Sequence, residues 1–410
     1  MKCSGSSKNP EPRNRKSKSN AAAQDSAPRL KGVARAPYYY TAFLPNEGRL
    51  MVEALERRPW WQPSQKVGTF NFWWGPNGER FDFRTLERNQ RQLLNRFEDH
   101  REICTKTQLA INLQKYAERF RADVWTIIPT TFVLSGGSAG CKLLQANKAA
   151  FRSAAAGEWS EGDAPTAKAL KGKIWIVKPG GRNRGLGIEV FEGLEAVGQF
   201  MRAQPSMSMW VVQKYLEDPF LINGRKFDIR LLVLVTHNME VFIYKDSYVR
   251  TCTAKYNKEN LEDKSIHLTN DFVQKHLDDY GKFEDANKLS MDEFRTILAQ
   301  HGCDFELTVW PQIVESVQHV FRASLAKLNP RRIEYCFELL GFDFMLDSSF
   351  HTWLIEVNTS PALFRHGRVL TEMMPRMIEE VAQKVVDRVF PPDDPADLPE
   401  PLNCFEQVPL

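Results

Sequence analysis

Three stretches of this 410-residue sequence bring together residue types that could do chemistry. In the first, Ile174-Trp-Ile-Val-Lys178-Pro-Gly-Gly-Arg-Asn-Arg-Gly185-Leu-Gly187-Ile-Glu-Val-Phe191, an apolar strand delivers a lysine into a glycine-rich loop. A Walker loop requires Gly-Lys-Ser/Thr opening a helix, and a dinucleotide fingerprint requires a helix after its glycines; here another strand follows. Two readings remain: a β-hairpin flap whose backbone closes over phosphates with Lys178 as a point charge, or a glycine-rich surface turn. In the second stretch, Lys226-Phe-Asp228-Ile-Arg230, a period of two puts Lys226, Asp228 and Arg230 on one face and Phe227, Ile229 and Leu231 on the other. Such a row is either a charged edge strand or a built polar surface, and the apolar continuation over 231–235 argues against an edge. The third stretch pairs Gly341-Phe-Asp343 with Trp353-Leu-Ile-Glu356-Val-Asn358 across the turn Asp347-Ser-Ser. Glu356 and Asn358 share a face, and an antiparallel register can bring Asp343 beside them. Two carboxylates and an amide are oxygen ligands of the kind Mg²⁺ takes alongside phosphates. Buried among Leu, Ile and Val, they need partners that a metal would supply.

Smaller signals lie between these. In Val212-Gln213-Lys214-Tyr-Leu216 a polar pair stands at a strand end, where Gln213, Lys214 and backbone groups could hold an adenine. Tyr248-Val-Arg250 adds a cation after a strand, and in His267-Leu-Thr269-Asn270 the asparagine is placed to cap a helix. Each of these alone reads as structural. The histidines lack ligand spacing, and the seven cysteines (Cys3, Cys104, Cys141, Cys252, Cys303, Cys336, Cys404) contain no Cys-x-x-Cys pair. That pattern gives neither a zinc site nor a disulfide framework and fits a reduced compartment.

The elements that must position these residues follow from the apolar pattern. Short β-branched and aromatic runs predict strands at 69–74, 174–177, 187–191, 210–213, 227–235, 241–244, 339–346 and 352–357. Helical spacing predicts helices at 84–100, 107–120, 194–202, 271–277, 291–300, 310–328 and 374–390. This is a mixed α/β or α+β body ending at Pro391-Pro392, interrupted by a long mobile loop at 135–172. With 42% hydrophobic and 26% charged residues the chain can form two or three packed units, so disorder throughout is excluded. The formal charge of +4 is unevenly placed: residues 1–40 carry nine basic side chains against two acids, and the last twenty residues carry five acids and no Lys or Arg. Residues 1–36 are too polar to build a core and read as a disordered basic arm. No apolar signal core opens the chain and no run approaches the ~20 apolar residues of a membrane span, which predicts a soluble protein.

Taken in order, Trp175-Ile-Val-Lys178-Pro with its glycine-rich flap, Gln213-Lys-Tyr-Leu216, Arg225-Lys-Phe-Asp-Ile-Arg230, Arg250-Thr, His267-Leu-Thr-Asn270, Gly341-Phe-Asp-Phe344 and Trp353-Leu-Ile-Glu-Val-Asn358 resemble the tubulin–tyrosine ligase-like family of the ATP-grasp superfamily, over roughly residues 69–390. The resemblance implies an α/β (α+β) ATP-grasp-like fold, with mixed sheets and a glycine-rich β-hairpin flap behind a small N-terminal domain. The implied divisions are 1–36 (basic arm), 37–103 (N-terminal domain), 104–215 (central subdomain with loop 135–172), 216–391 (C-terminal subdomain) and 392–410 (acidic tail). It also implies ATP and Mg²⁺. Carried over by position, Lys178 would meet the ATP phosphates, while Gln213, Lys214 and Leu216 would frame the adenine. Lys226, Asp228, Thr269 and Asn270 would contact nucleotide or ribose, with Arg250 nearby. Asp343, Glu356 and Asn358 would hold Mg²⁺, Glu356 counting also as catalytic, and Arg230 would stabilise a tetrahedral intermediate. Lys106 takes the place of an upstream nucleotide-contacting lysine. In the implied reaction a substrate carboxylate attacks the γ-phosphate, and a free amino acid then displaces phosphate from the acyl phosphate, without a serine or cysteine nucleophile.

The family adds tyrosine to the α-tubulin C-terminus, or glutamate or glycine to glutamates of tubulin tails. Gln213-Lys214 and Leu340-Gly-Phe-Asp-Phe-Met345 are similar to the tyrosine ligase, whereas Asp246-Ser-Tyr-Val-Arg250 and Lys178-Pro-Gly are similar to the glycylases. The long basic C-terminal extension of the autonomous glutamylases is missing. The expectation is a monomeric ligase of cytoplasm and cytoskeleton, including the cilium, acting on acidic tubulin tails with a free amino acid and without nucleic acid or membrane. It leans to tyrosine, with glycine or glutamate as the alternative. A small-acid ligase and a non-catalytic tubulin-binding module are the alternatives of other classes. The basic arm would tether the acidic tail, leaving Lys178, Lys226, Arg230 and Arg250 for ATP and acyl phosphate.

Overall fold

The computed structural model describes residues 37–410 except 45–47, 67, 76–80, 87–90, 136–141, 144–172, 182–184 and 205–208. The apolar runs become strands of three sheets. β1 (Tyr38–Ala42), β2 (Trp61–Pro63), β3 (Phe72–Trp74) and β4 (Leu93–Leu94) make a small parallel sheet in the order β2-β1-β3-β4. β5 (Thr131–Ser135), β6 (Lys142–Leu143), β7 (Ile174–Pro179), β8 (Glu189–Glu192) and β9 (Met209–Lys214) make an antiparallel sheet in the order β6-β5-β9-β7-β8. β10 (Arg225–Val235), β11 (Val241–Lys255), β12 (Lys288–Ser290), β13 (Glu338–Leu346) and β14 (Thr352–Thr359) form the largest, in the order β12-β11-β10-β13-β14, with β15 (Phe405–Val408) pairing on β11. The principal helices are α1 (Gly48–Glu56), α2 (Lys106–Phe120), α3 (Leu194–Arg202), α4 (Met291–Gln300), α5 (Trp310–Leu328) and α6 (Arg368–Val381), the last continuing helically to Val389.

β10 explains how the largest sheet is covered. All eleven of its residues are buried because it is the middle strand. Ile229, Leu231, Val233 and Val235 join Leu340, Phe342 and Phe344 of β13 against Ile313, Val317 and Phe321 of α5. On the opposite face, Leu232 and Leu234 pack with Leu50 and Leu55 of α1 and with Met374, Met377 and Ile378 of α6. By period two that face also carries Lys226, Asp228 and Arg230. One face of one strand therefore changes from charged to apolar along its length, and α1 and α6 close over the apolar half. The row at Lys226–Arg230 thus lies at the middle of a sheet, which removes the exposed-edge reading.

Several expectations are corrected. No helix spans 84–100: the described part holds a 3-10 turn at Phe83–Thr85, then β4, whose Leu93 and Leu94 are both fully buried. Adjacent apolar side chains covered on both faces suit a strand, and charged neighbours had masked them. The strand at 241–244 runs on to Lys255, taking in Tyr248 and Arg250. The C-terminal helix begins at Arg368 and passes through Pro375. The acidic tail ends in β15, where Phe405 meets Tyr244 edge to face and Lys245 pairs with Glu406 at 3.2 Å. Two apolar residues, Phe405 and Val408, were too faint a signal among acids. The basic arm and nearly all of the loop at 135–172 lie outside the described residues. No helix among the described residues is long and apolar enough to cross a membrane.

Arg58 fastens the N-terminal region to α6 and its extension. Its buried guanidinium donates to both oxygens of Asp387 (2.7 and 2.8 Å), to Glu379 (2.7 Å) and to the Ala54 carbonyl (2.7 Å). Deleting one partner of such a cluster leaves buried carboxylates unanswered. Arg58→Ala is therefore expected to lose about 3–5 kcal/mol, read as a lowered urea midpoint; a midpoint unchanged from wild type would show that the cluster contributes nothing.

Candidate active site

Strand register assembles the charged half of the sheet. Asp228 on β10 faces Arg250 on β11, Arg230 faces Asp343 on β13, and Asp343 faces Glu356 on β14. Arg250 forks onto Asp228 (2.7 and 2.6 Å) and reaches Asp343 (2.9 Å), while Arg230 holds Asp343 through Nε and through Nη2 at 3.1 Å. The Thr269 hydroxyl also donates to Asp228. These charges are all nearly buried and each meets an opposite one, as desolvated ions must. Burial works against the charge of Arg250, but Asp228 and Asp343 outweigh it and hold its pKa well above the usual value. Burial pushes the Asp343 carboxyl up against the pull of Arg230 and Arg250.

Glu356 ends the row. Lys106, the first residue of α2, lies 2.9 Å from one oxygen, and the Asn358 amide donates to the other at 3.0 Å and to Asp343 at 3.2 Å. Burial alone would raise the Glu356 pKa; Lys106, the Asn358 amide and Lys178 reverse this and hold it far below the usual carboxylate range. The antiparallel register that brings Asp343 alongside Glu356 and Asn358 is present, with a bulge after Asp343 that turns Glu356 onto the same side. Among the described residues no cluster of three His, Cys, Asp or Glu side chains could hold a metal by itself. Two carboxylates and an amide oxygen are a hard-oxygen set that fits Mg²⁺, provided another molecule and water complete its shell.

These groups open onto a cleft of about 860 Å³, a volume that includes space open to solvent. Its polar end holds Lys106, Asp343, Glu356, Arg250 and Asp228, together with two buried amines. Lys178, from β7, donates to Gln213 Oε1 (2.7 Å), whose amide in turn donates to Thr131 (2.9 Å). Lys226 donates to the Tyr215 hydroxyl (3.0 Å) and the His267 carbonyl (3.3 Å). Burial pushes each amine down to about 8, and for Lys178 the neighbouring Lys106 and Lys226 add to the effect. The other end is apolar, walled by Ile176, Leu216, Met345 and Ile355. There the ammonium of Lys214 turns away onto Glu217 (2.6 Å) and the Ile174 carbonyl (2.8 Å). The glycine-rich segment is a β7–β8 hairpin whose Gly185 and Ile188 reach the cleft, Gly185 with φ +73°. Asn270 caps the turn after it by accepting from the Phe272 N–H (2.8 Å), and it lines the cleft with Thr269.

Every residue singled out from the sequence thus falls in one place. Arg230 and Asn358 stand just behind the lining, bonded to Asp343. Sequence reasoning missed Tyr215, whose hydroxyl bridges Lys226 and His267 Nδ1 (2.7 Å), as well as the walls Ile176, Met345 and Ile355. The strand periodicity contained the signal for two walls, since Met345 lies two residues from Asp343 and Ile176 two from Lys178; Ile355, adjacent to Glu356, shares its side only through the bulge in β14, and nothing local marked Tyr215.

Comparison with known proteins follows the same line. The profile of the tubulin-tyrosine ligase family matches residues 84–397, more than half of the chain. Tubulin glycylase 3B of Tetrahymena thermophila is 31% identical over 218 residues, 52% of this chain and 18% of the relative. The tubulin monoglycylase TTLL3 of Homo sapiens is 34% identical over 228 residues, covering 53% and 29%. The tubulin monoglutamylase TTLL4 of Mus musculus is 30% identical over 323 residues, covering 75% and 24%. This chain therefore spans less than a third of the length of these relatives. The leaning towards tyrosine finds no support among them, since they are named as glycylases and a glutamylase. The mixed α/β fold class expected from the resemblance is the one observed.

The two amines set a pH dependence. A polyphosphate favours their charged forms, so its binding raises both pKa values from about 8. ATP or inorganic tripolyphosphate binding at pH 8 is expected to take up protons, and affinity is expected to fall as pH rises further and the free amines lose charge. Calorimetry in buffers of different ionisation enthalpy counts those protons; zero uptake would contradict the assignment.

Proposed function

We propose that this chain, which belongs to the tubulin-tyrosine ligase family, is an ATP-dependent ligase that joins the amine of a free amino acid, glycine, to a glutamate side chain of a tubulin tail on the cytoskeleton or in cilia. The observation that carries the ligase reading is the polar end of the cleft, which Lys106, Lys178 and Lys226 line together with Asp343 and Glu356, Lys106 pairing with Glu356 and the Asn358 amide bonding to both carboxylates, while the other end is apolar. That arrangement suits a nucleoside triphosphate: base in the Ile176–Leu216–Met345–Ile355 slot, phosphates against the amines.

In this reading Asp343, Glu356 and Asn358 hold Mg²⁺, which would draw charge off the phosphates when bound. Lys178 and Lys106 steady the transferring phosphoryl group, and the hairpin from β7 to β8 excludes water above it. The substrate carboxylate attacks the γ-phosphorus, releasing ADP; the amine then attacks the acyl carbon, losing a proton as phosphate leaves. Arg230, kept permanently charged beside Asp343, faces the oxyanion that develops. Burial pushes the Cys252 thiol, which interacts with Lys226, up to about 12, so it stays protonated and disfavoured as a nucleophile at neutral pH.

Glycine is favoured by the named glycylases, at 31–34% identity. Glutamate is the second reading, because the monoglutamylase aligns over the longer part of the chain, 75% against about half. Incubation with ATP, Mg²⁺, tubulin and each labelled amino acid decides: glycine incorporation is expected, glutamate alone would favour the second reading, and no incorporation of any would sink the ligase assignment. Phosphate release with a metabolite acid and no tubulin would point to a small-acid ligase instead. Glu356→Gln is expected to lower incorporation at least ~100-fold in a protein that still folds, with a lowered melting temperature because Lys106 loses its buried partner; full activity would remove Glu356 from the site.

A further inference from the structure

The cleft borrows Thr269 and Asn270 from a segment that belongs to no sheet, residues 267–274, which ends in the short helix Asp271–Gln274. Its far end is tied down by Gln274, which donates to the carbonyls of Leu268 (2.6 Å) and Ser265 (2.9 Å) and accepts from the Thr253 N–H (2.8 Å). Its near end is held by an ion pair. Lys288, on the edge strand β12, donates to both oxygens of Asp271 (2.9 and 3.1 Å), to the Ala286 carbonyl (2.8 Å) and to the Tyr280 hydroxyl (3.3 Å).

This pair differs from an ordinary surface salt bridge. The Lys288 side chain is 1% exposed and that of Asp271 is 42% exposed, so a desolvated ammonium reaches outward to a carboxylate that water could satisfy. Stability alone gives no reason to bury that amine, because exposed pairs contribute little. The backbone before it is also costly: Ala286 and Asn287 both take left-handed φ, +53° and +55°, and the Asn287 amide holds them by bonding to Thr251 and Thr253 of β11. That strained loop delivers Lys288 opposite Arg250, its register partner, behind the residues that line the cleft.

We propose that Lys288 is a positioning residue for the nucleotide: through Asp271 it presses the Thr269–Asn270 turn onto the cleft, where Thr269 meets Asp228. This rests on the nucleotide reading above. The test is calorimetric titration of the full chain with ATP and Mg²⁺. Lys288→Met and Asp271→Asn are each expected to weaken ATP roughly 5- to 30-fold, and the double variant no further, since both remove one contact. In turnover assays the ATP KM rises by the same factor while kcat at saturating ATP holds. Should Lys288→Met fail to fold, Asp271→Asn, at a half-exposed carboxylate, gives the same reading alone. Unchanged ATP affinity with a lowered melting temperature, or additive losses in the double variant, would overturn the inference while leaving the nucleotide site in place. Wild-type protein that binds no ATP would overturn both.

Discussion

The architecture turns on the desolvation of charge along β10. Lys226, Asp228 and Arg230 lie in the middle strand of a sheet, where each ion carries a penalty of several kcal/mol unless it is matched. The neighbouring strands answer with Arg250, Asp343 and Glu356 at register positions, and α2 answers with Lys106. The balance is incomplete by design of the residues. Setting aside Lys214, whose charge Glu217 meets, the described residues offer five cations (Lys106, Lys178, Lys226, Arg230 and Arg250) against three carboxylates (Asp228, Asp343 and Glu356). Burial already pushes the amines of Lys178 and Lys226 down to about 8, and at Lys178 the neighbouring cations add to it. A polyanion with a divalent cation restores the balance; a neutral ligand would leave it as strained as before.

The same constraint explains how the helices are placed. A sheet face that begins charged and ends apolar can be covered by helices only at its apolar end, so α1 and α6 stop over Leu232 and Leu234. The cleft is what remains uncovered, and its roof is supplied by the second sheet through Lys178, Gln213 and the hairpin carrying Gly185. Arg58 is important for a related reason: by joining α1's end to α6 and its extension it holds the cover in place at a distance from the chemistry.

Much of this was legible because strand periodicity is strict. The alternation in Lys226–Arg230 and in Glu356–Asn358 gives which side chains share a face, and that survives folding unchanged. Register is different: it depends on partners far along the chain and on the bulges after Asp343 and Arg230, which no local pattern announces. That is why Asp343 could be placed near Glu356 only as a possibility. Tyr215 and Lys288 were invisible for the same reason, since both act through contacts made across elements. The failures at 84–100 and at Phe405–Val408 run the other way. In each, two buried apolar residues among charges decide the structure, and composition averages them out.

The choice of amino acid was not legible, and the cleft shows why. On the proposed nucleotide reading, the charged side chains that line the cleft among the described residues are committed to one another or to phosphate, which leaves none of them to read the side chain of an incoming amino acid. Glycine offers only an amine and a carboxylate, both of which glutamate also has. A site that accepts glycine must therefore discriminate by exclusion, through bulk or a repelling carboxylate, whereas one that accepts glutamate can discriminate by attraction to a cation. Exclusion by bulk leaves no charged signature in a sequence. The features that decide between the two readings must then lie beyond the nucleotide cleft, on the side of Asp343 and Glu356 where Arg230 and Asn358 stand and where the acyl carbon would be presented.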